Sequence, residues 1–263
     1  MPWLGLGVFQ AKQGEEVRNA VQAALSTGYR AIDTAAGYRN EEGVGEAIRA
    51  SGIPRDQVFV TTKLANSDHG FERAQEAFQE SLQRLGTEYV DLFLIHWPIP
   101  GRVDSWKAFE KIAKEGKARS IGVSNFTIDF LEELKKNTDV VPAVNQVEFH
   151  PFLLQPDLLQ YCRDNGIQLE AYSPLVRAQR FDHPTIQELA QKHGKTPAQI
   201  LIRWDLQHEV VTIPKSVHEN RIKENADVFD FELSDDEVSR LDALDEGYRT
   251  GADPVEIARK GGF

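Results

Sequence analysis

Short apolar segments and amphipathic helical segments alternate along this chain eight times. They recur at intervals of roughly 25 to 35 residues, the spacing that parallel β-α-β crossovers need. The strand segments fall at residues 4–9, 31–33, 58–63, 90–96, 120–123, 144–149, 168–172 and 210–214. Between them apolar residues return at the helical period: Val17, Ala20, Val21 and Ala24 share one face, and Ala74, Ala77, Phe78, Leu82 and Leu85 another. Two helical patterns, 185–193 and 197–207, follow the seventh strand, and two more, 219–227 and 235–245, follow the eighth. Strand 90–96 is almost wholly apolar, as a strand covered on both faces should be. Eight such units in 263 residues predict closure into a (β/α)8 barrel. The expectation is one domain over 1–263, with an irregular, partly polar tail from about residue 247. An open dinucleotide-binding sheet fits less well, because Gly5 and Gly7 have Gln10 where the third glycine of G-x-G-x-x-G would stand.

Charge narrows the partners. A net charge of −11 argues against a nucleic-acid groove or an anionic membrane surface, both of which reward an excess of Lys and Arg. The single Cys162 allows no intrachain disulfide and no cysteine-rich metal site, and no His/Asp/Glu spacing suggests a metal. With neither a signal-peptide pattern nor an apolar run of membrane-spanning length, the chain reads as cytoplasmic.

Barrels build their chemistry at the C-terminal ends of their strands. Here those ends carry Phe9, Asp33 with Tyr38 five residues on, Lys63, His96 with Trp97, Ser124 and Asn125, Gln146, Tyr172 and Ser173, then Lys215 and Ser216. Each alone has a bland use: Asp33 as a cap, Lys63 as a solvated strand end, His96 as a core histidine. Brought to one rim, they are what a site needs to hand a proton to a carbonyl oxygen. A free tyrosine, with a pKa of about 10, is a poor acid at neutral pH. An ammonium beside it favours the phenolate, so Lys63 is expected to lower the pKa of Tyr38, with Asp33 holding Lys63 in place. His96 can donate a hydrogen bond to the substrate oxygen.

Seven ordered motifs carry a specific resemblance. They are Asp33-Thr-Ala-x-x-Tyr38-x-Asn40-Glu41, Thr62-Lys63-Leu, Leu94-Ile-His96-Trp-Pro, Ile121-Gly-Val-Ser-Asn125-Phe, Asn145-Gln146-x-Glu-x-His-Pro, Ala171-Tyr-Ser-Pro174-Leu and Ile213-Pro-Lys215-Ser216-Val. Together they resemble the aldo-keto reductases, most closely bacterial members such as 2,5-diketo-gluconate and methylglyoxal reductases. The resemblance implies NADPH-dependent reduction of aldehydes and ketones, dicarbonyls included, with Tyr38 as acid, Lys63 and Asp33 as its tuners and His96 as orienter. It implies that Tyr172 stacks on the nicotinamide and that Ser124, Asn125 and Gln146 bind its carboxamide. It further implies Ser173, Leu175 and Val217 as cofactor contacts. Lys215, Ser216 and Arg221 would clamp the adenosine 2′-phosphate, and Glu224 and Asn225 would meet the adenine. A cation, a hydroxyl and a guanidinium at a helix start suit a phosphate monoester, so NADPH is expected over NADH. Val8, Phe9, Ala65 and Trp97 are the expected substrate-pocket lining, and a monomer is the expected state.

The chain departs from that pattern in three places. It begins almost at the first strand, without the N-terminal β-hairpin that usually plugs the barrel's bottom. Ala65 stands where the family commonly has Trp, and Gly37 where a bulky apolar residue is frequent. The loop 175–181 carries Arg177 and Arg180 and is unusually basic. One reading is a pocket opened for a bulky carbonyl, by nature or by engineering; the other is neutral drift of loops. A second function within the same resemblance is an NADPH-binding regulatory or redox-sensing subunit with little turnover. A lyase or phosphate-ester barrel would need a Schiff-base lysine or metal carboxylates, which Lys63 paired with Asp33 fits poorly.

Overall fold

The structure, a computed structural model, describes residues 1–263. Eight strands lie in sequence order, every neighbouring pair parallel: β1 (Leu6–Gly7), β2 (Ala31–Asp33), β3 (Phe59–Leu64), β4 (Val90–Ile95), β5 (Ala118–Ser124), β6 (Val144–Glu148), β7 (Gln168–Tyr172) and β8 (Val211–Thr212). Parallel bridges Leu4↔Thr212 and Gly7↔Lys215 join the first strand to the last, with Gly5 N–H on the Thr212 carbonyl at 3.0 Å. The sheet therefore closes into the expected barrel. Within the sheet, two close approaches require glycine. A Cβ on Gly7 would lie 2.8 Å from the Ile213 carbonyl oxygen at the closing seam, and one on Gly122 would lie 2.6 Å from that of Val144.

The helices follow the strands: α1 (Glu15–Thr27), α2 (Glu41–Ala50), α3 (Phe71–Leu85), α4 (Arg102–Lys114), α5 (Ile128–Asn137), α6 (Pro156–Asp164), α7 (Pro184–His193), α8 (Pro197–Gln207), α9 (Glu219–Ala226), α10 (Asp235–Asp242) and α11 (Pro254–Lys260). Their apolar stripes face the sheet, and 57 buried residues form one continuous core between the two layers. Strand alternation turns Leu92 and Leu94 the opposite way from Phe93 and Ile95. With Val144 they form a separate cluster filling the barrel's interior. Above that plug the interior-facing residues become polar.

The tail, expected to be irregular from about residue 247, is so only as far as residue 253 and then forms α11. Asp253 caps α11 by accepting from the Val255 and Glu256 amides, and Pro254 opens the helix. Ile257 packs on Trp97 and Ile99, so the helix covers part of the barrel's C-terminal rim. The chain reaches it through a strap. Glu148, at the end of β6, accepts from Thr250 N–H and Oγ1 at 2.6 Å each, from Gly251 N–H at 3.0 Å, and faces His150 Nε2 at 3.2 Å. Burial alone would raise the Glu148 carboxyl pKa, but the donors from His150, Thr250 and Gly251 prevail and carry it down to about 2.

Candidate active site

Three strand ends bring the four catalytic candidates together. Asp33 ends β2, and Tyr38 closes a 3-10 turn at Ala36–Tyr38. Asn40 anchors this loop: its Nδ2 donates to the Val8 and Ala11 carbonyls at 2.9 and 3.0 Å, and its Oδ1 accepts from Thr34 Oγ1 at 2.7 Å. Glu41, opening α2, accepts from Thr62 Oγ1 at 2.5 Å and from Arg84 at 2.6 Å, tying the loop to β3. Lys63 projects inward from β3 and is fully buried. Its Nζ donates to Asp33 Oδ1 at 2.6 Å and the Thr34 carbonyl at 2.9 Å, and more weakly to Tyr38 Oη at 3.4 Å. The ring of His96, just past β4, meets Tyr38 edge-on with centroids 5.5 Å apart.

Burial raises the Tyr38 pKa; Lys63 pulls it back and Asp33 pushes it up again, leaving it above the ordinary phenol value. Lys63 therefore acts in the expected direction but does not win, because Asp33 neutralises much of its charge and the ring is removed from water. Burial works against the Lys63 ammonium, but Asp33, together with Tyr38 and Glu170, prevails and the pKa ends raised. His96 is pushed down to about 3 by burial, then by Lys63 and His69. Around neutral pH the group is thus a protonated phenol, a charged lysine and a neutral imidazole with one N–H to give.

These side chains border a cavity of about 650 Å³. Tyr38, His96, Phe9 and Trp97 stand on one side; Ser124, Asn125, Gln146 and Tyr172 stand on another, and Ser173, Leu175 and Lys215 line it further along. Asn125, in the left-handed region at φ 66°, donates to the His96 carbonyl at 2.9 Å and accepts from Tyr172 Oη at 2.8 Å. Ser124 Oγ donates to the Gln146 carbonyl at 2.8 Å. Three neighbouring rim groups are therefore already fixed before any ligand arrives.

Two expected pocket residues lie elsewhere. Val8 is buried at 1% exposure within the core between sheet and helices, because strand alternation turns it away from Phe9. Ala65 is half-buried but does not reach the cavity; Asn66, the next residue, lines it instead. Gly37 does line it, and the only atom within reach of a Cβ there is His96 Nδ1, at 4.0 Å. Ser216, Val217, Arg221, Glu224 and Asn225 lie outside the cavity, on and before α9. Lys215 and Arg221 are exposed and make no ion pair within 4.0 Å, whereas Glu224 accepts from Thr196 Oγ1 at 2.7 Å and Asn225 is buried. His69 is half-buried, and neither ring nitrogen has a partner. Glu148 and Glu170 escaped sequence reasoning altogether; the available signal was a carboxylate two residues from an inward-facing Gln146 or Tyr172.

Residues 3–246 match the Aldo/keto reductase family. The chain belongs to that family. It is 53% identical to the glyoxal reductase of Bacillus subtilis, over 98% of this chain and 94% of that one. It is 49% identical to the methylglyoxal reductase of Escherichia coli K12, with the same two coverages. Among solved structures it superposes on a Bombyx mori aldo-keto reductase in complex with NADP with a TM-score of 0.89, at 38% identity, covering 96% of this chain and 92% of that one. The chain is accordingly an oxidoreductase of a family that works with a nicotinamide cofactor, and no helix is long and apolar enough to cross a membrane.

Proposed function

We propose that this aldo/keto reductase reduces aldehydes and ketones, small dicarbonyls among them, with NADPH as reductant and Tyr38 as proton donor. The observation that carries the reading is the buried run Asp33–Lys63–Tyr38 ending at a cavity beside a histidine ring that makes no hydrogen bond within the protein. The glyoxal and methylglyoxal reductase activities named for two relatives support the dicarbonyl class.

A bound reduced nicotinamide supplies the hydride that goes to the carbonyl carbon. The protein supplies the rest. His96 donates its one N–H to the carbonyl oxygen and orients it. Tyr38, kept protonated by its raised pKa, gives its Oη proton to that oxygen as negative charge develops there. Lys63 stabilises the phenolate left behind, which solvent reprotonates. In sum, the carbonyl, NADPH and one proton become the alcohol and NADP+.

The residues present fit the cofactor. Because Gln146 Nε2 is spent on two carboxyl groups, its oxygen is left for the cavity, where it can accept from a carboxamide. Tyr172 offers a ring beside it, with Ser173 and Leu175 along the same wall. Unpaired Lys215 and Arg221, with the Ser216 hydroxyl, suit a phosphate monoester; Val217, Glu224 and Asn225 would flank the adenosine. A monomer acting in the cytoplasm completes the proposal, and a single species of monomer mass in size-exclusion chromatography tests the first part.

The deciding experiment follows NADPH absorbance across methylglyoxal, simple aldehydes and bulky aryl carbonyls, with Tyr38→Phe alongside. Turnover lost in the variant while NADPH still binds is expected. Tight NADPH binding with no turnover by the unmodified protein on any carbonyl would replace the reading with a regulatory one.

A further inference from the structure

The buried cluster holds one titratable group that this chemistry leaves unused. Glu170 sits in β7 on the strand face that carries Tyr172, turned into the barrel and 2% exposed. Its Oε2 accepts from Gln146 Nε2 at 2.7 Å, and the same nitrogen donates to Asp33 Oδ2 at 2.8 Å. A primary amide has two N–H bonds, so each carboxyl group takes one, and Gln146 cannot turn over without releasing both. Two carboxyl groups from opposite parts of the barrel thus share one amide and one ammonium, and Lys63 lies on Asp33.

That stoichiometry has a consequence. If both carboxyls ionise, the dry interior carries uncompensated negative charge; a proton on one of them removes it. Asp33 holds the ammonium, so the proton falls to Glu170. Burial, reinforced by the Asp33 charge, pushes the Glu170 carboxyl up to about 8. The titratable groups facing it are Asp33 from β2, Lys63 from β3 and Tyr38 from the loop after β2. Neighbouring β6 contributes the neutral Gln146, and β8 sets Val211 in register with it.

We propose that Glu170 is a positioning residue of this site: through Gln146 it fixes the Asp33–Lys63 pair beneath Tyr38, and its own protonation sets how much negative charge Tyr38 meets when it gives up a proton. The role rests on Tyr38 being the donor. With Glu170 neutral, Lys63 is opposed only by Asp33, and the phenolate forms against little resistance. When Glu170 releases its proton to solvent, a second buried anion raises the proton affinity of Tyr38. Carbonyl reduction therefore falls as pH rises through this range.

Glu170→Gln tests this directly, because its amide oxygen can still accept the Gln146 N–H while the titration is gone. The measurement is the pH profile of kcat on one aldehyde at saturating NADPH, with the Kd for NADPH and the Tm beside it. At about pH 6 the two proteins should agree within about twofold; at about pH 9 the variant should be roughly threefold to tenfold faster. The same alkaline decline in both proteins overturns the proposal. A second readout needs neither turnover nor this variant. Infrared pH-difference spectra of the cofactor-free protein should show a buried carboxylic-acid band disappearing near pH 8, and at lower pH in Asp33→Asn, where the neighbouring charge is removed. No such band, or one indifferent to Asp33→Asn, overturns the coupling. Absence of carbonyl turnover by the unmodified protein with the band intact would remove the reductase reading, and the positioning role with it.

Discussion

Lys63→Met is the substitution that most sharply separates the structural from the chemical work of the buried pair. The methionine keeps the length of the stem and removes the ammonium, leaving Asp33 with the single bond from Gln146. Breaking one side of a buried ion pair costs about 3–5 kcal/mol, because the remaining charge stays out of water. For a chain of this size that is a fall in Tm of roughly 10 °C. Removing the second charge as well, in Lys63→Met/Asp33→Asn, should recover about 2 kcal/mol, since an amide at position 33 carries no charge to strand. The double variant should therefore be more stable than the single one.

The kinetic loss has a different origin. Nζ lies 3.4 Å from Tyr38 Oη. At an effective dielectric of about 20, an ammonium and a phenolate that far apart attract by about 5 kcal/mol. Asp33, on the other side of Nζ, cancels a share. If half survives, about 2.5 kcal/mol of support for the forming phenolate is lost, a fall of about a hundredfold in kcat. The double variant recovers stability but not rate, because no cation faces the phenolate in either protein. Urea unfolding and kcat on one aldehyde, measured on all four members of the cycle, decide it. Strictly additive stabilities would refute the coupling, and a single variant turning over within about threefold of the parent would refute Lys63 as the support of the phenolate.

Three further outcomes follow from the same geometry. Glu148→Gln should weaken the strap on the tail; because the folded carboxyl lies at about 2, against an ordinary 4.5, its stabilisation of about 3 kcal/mol is complete above about pH 5 and fades as pH falls toward 2. Unfolding free energies of parent and variant should accordingly converge in acid, and a gap that stays constant with pH would exclude this carboxylate as its source. Gly37→Leu should narrow the cavity, raising KM for bulky aryl aldehydes about tenfold while sparing methylglyoxal, because the cavity beside His96 is the open direction for a side chain there. An unchanged size preference would mean that bulky substrates bind away from this wall. Lys215→Ala/Arg221→Ala should weaken NADPH by about a hundredfold to ten-thousandfold and leave NADH nearly untouched, since each of the two charge-assisted contacts with the 2′-phosphate contributes about 1.5–3 kcal/mol. Equal losses for both cofactors in fluorescence titration would place the phosphate elsewhere.

The barrel was legible because its signal is periodic and local. Runs such as Val90–Ile95 have no amphipathic alternative, and each helix presents its apolar stripe to the same sheet. The rim was legible for a related reason: residues at or next to a strand's end take their direction from the strand, so Asp33, Lys63 and His96 could be placed from order alone. Residues positioned by loops could not. Ala65 opens a short 3-10 turn, Asn66–Asp68, and which side chain of such a turn meets the cavity depends on one backbone angle that composition does not reveal. The tail helix was missed because its seven residues are too few for a period, and its stability comes from the Asp253 cap and from Ile257 packed on Trp97.

What sequence order could not supply is the balance of charge. Placing Lys63 beside Tyr38 predicts a lowered phenol pKa only if nothing else is near. The barrel interior adds burial, Asp33 and, through Gln146, Glu170, three influences that all push the other way. Asp33 stands only five positions from Tyr38, but Glu170 is distant in the chain, joined to Asp33 by the amide of Gln146 across 113 and 24 positions of sequence separation. A resting phenol that holds its proton is also the better starting state for a donor. It is present in the acid form at every physiological pH, and the cost of releasing the proton falls at the moment the substrate oxygen becomes basic enough to take it. Lys63 then matters for the state after transfer rather than the state before, so its removal should depress kcat far more than it shifts the binding of carbonyl or cofactor.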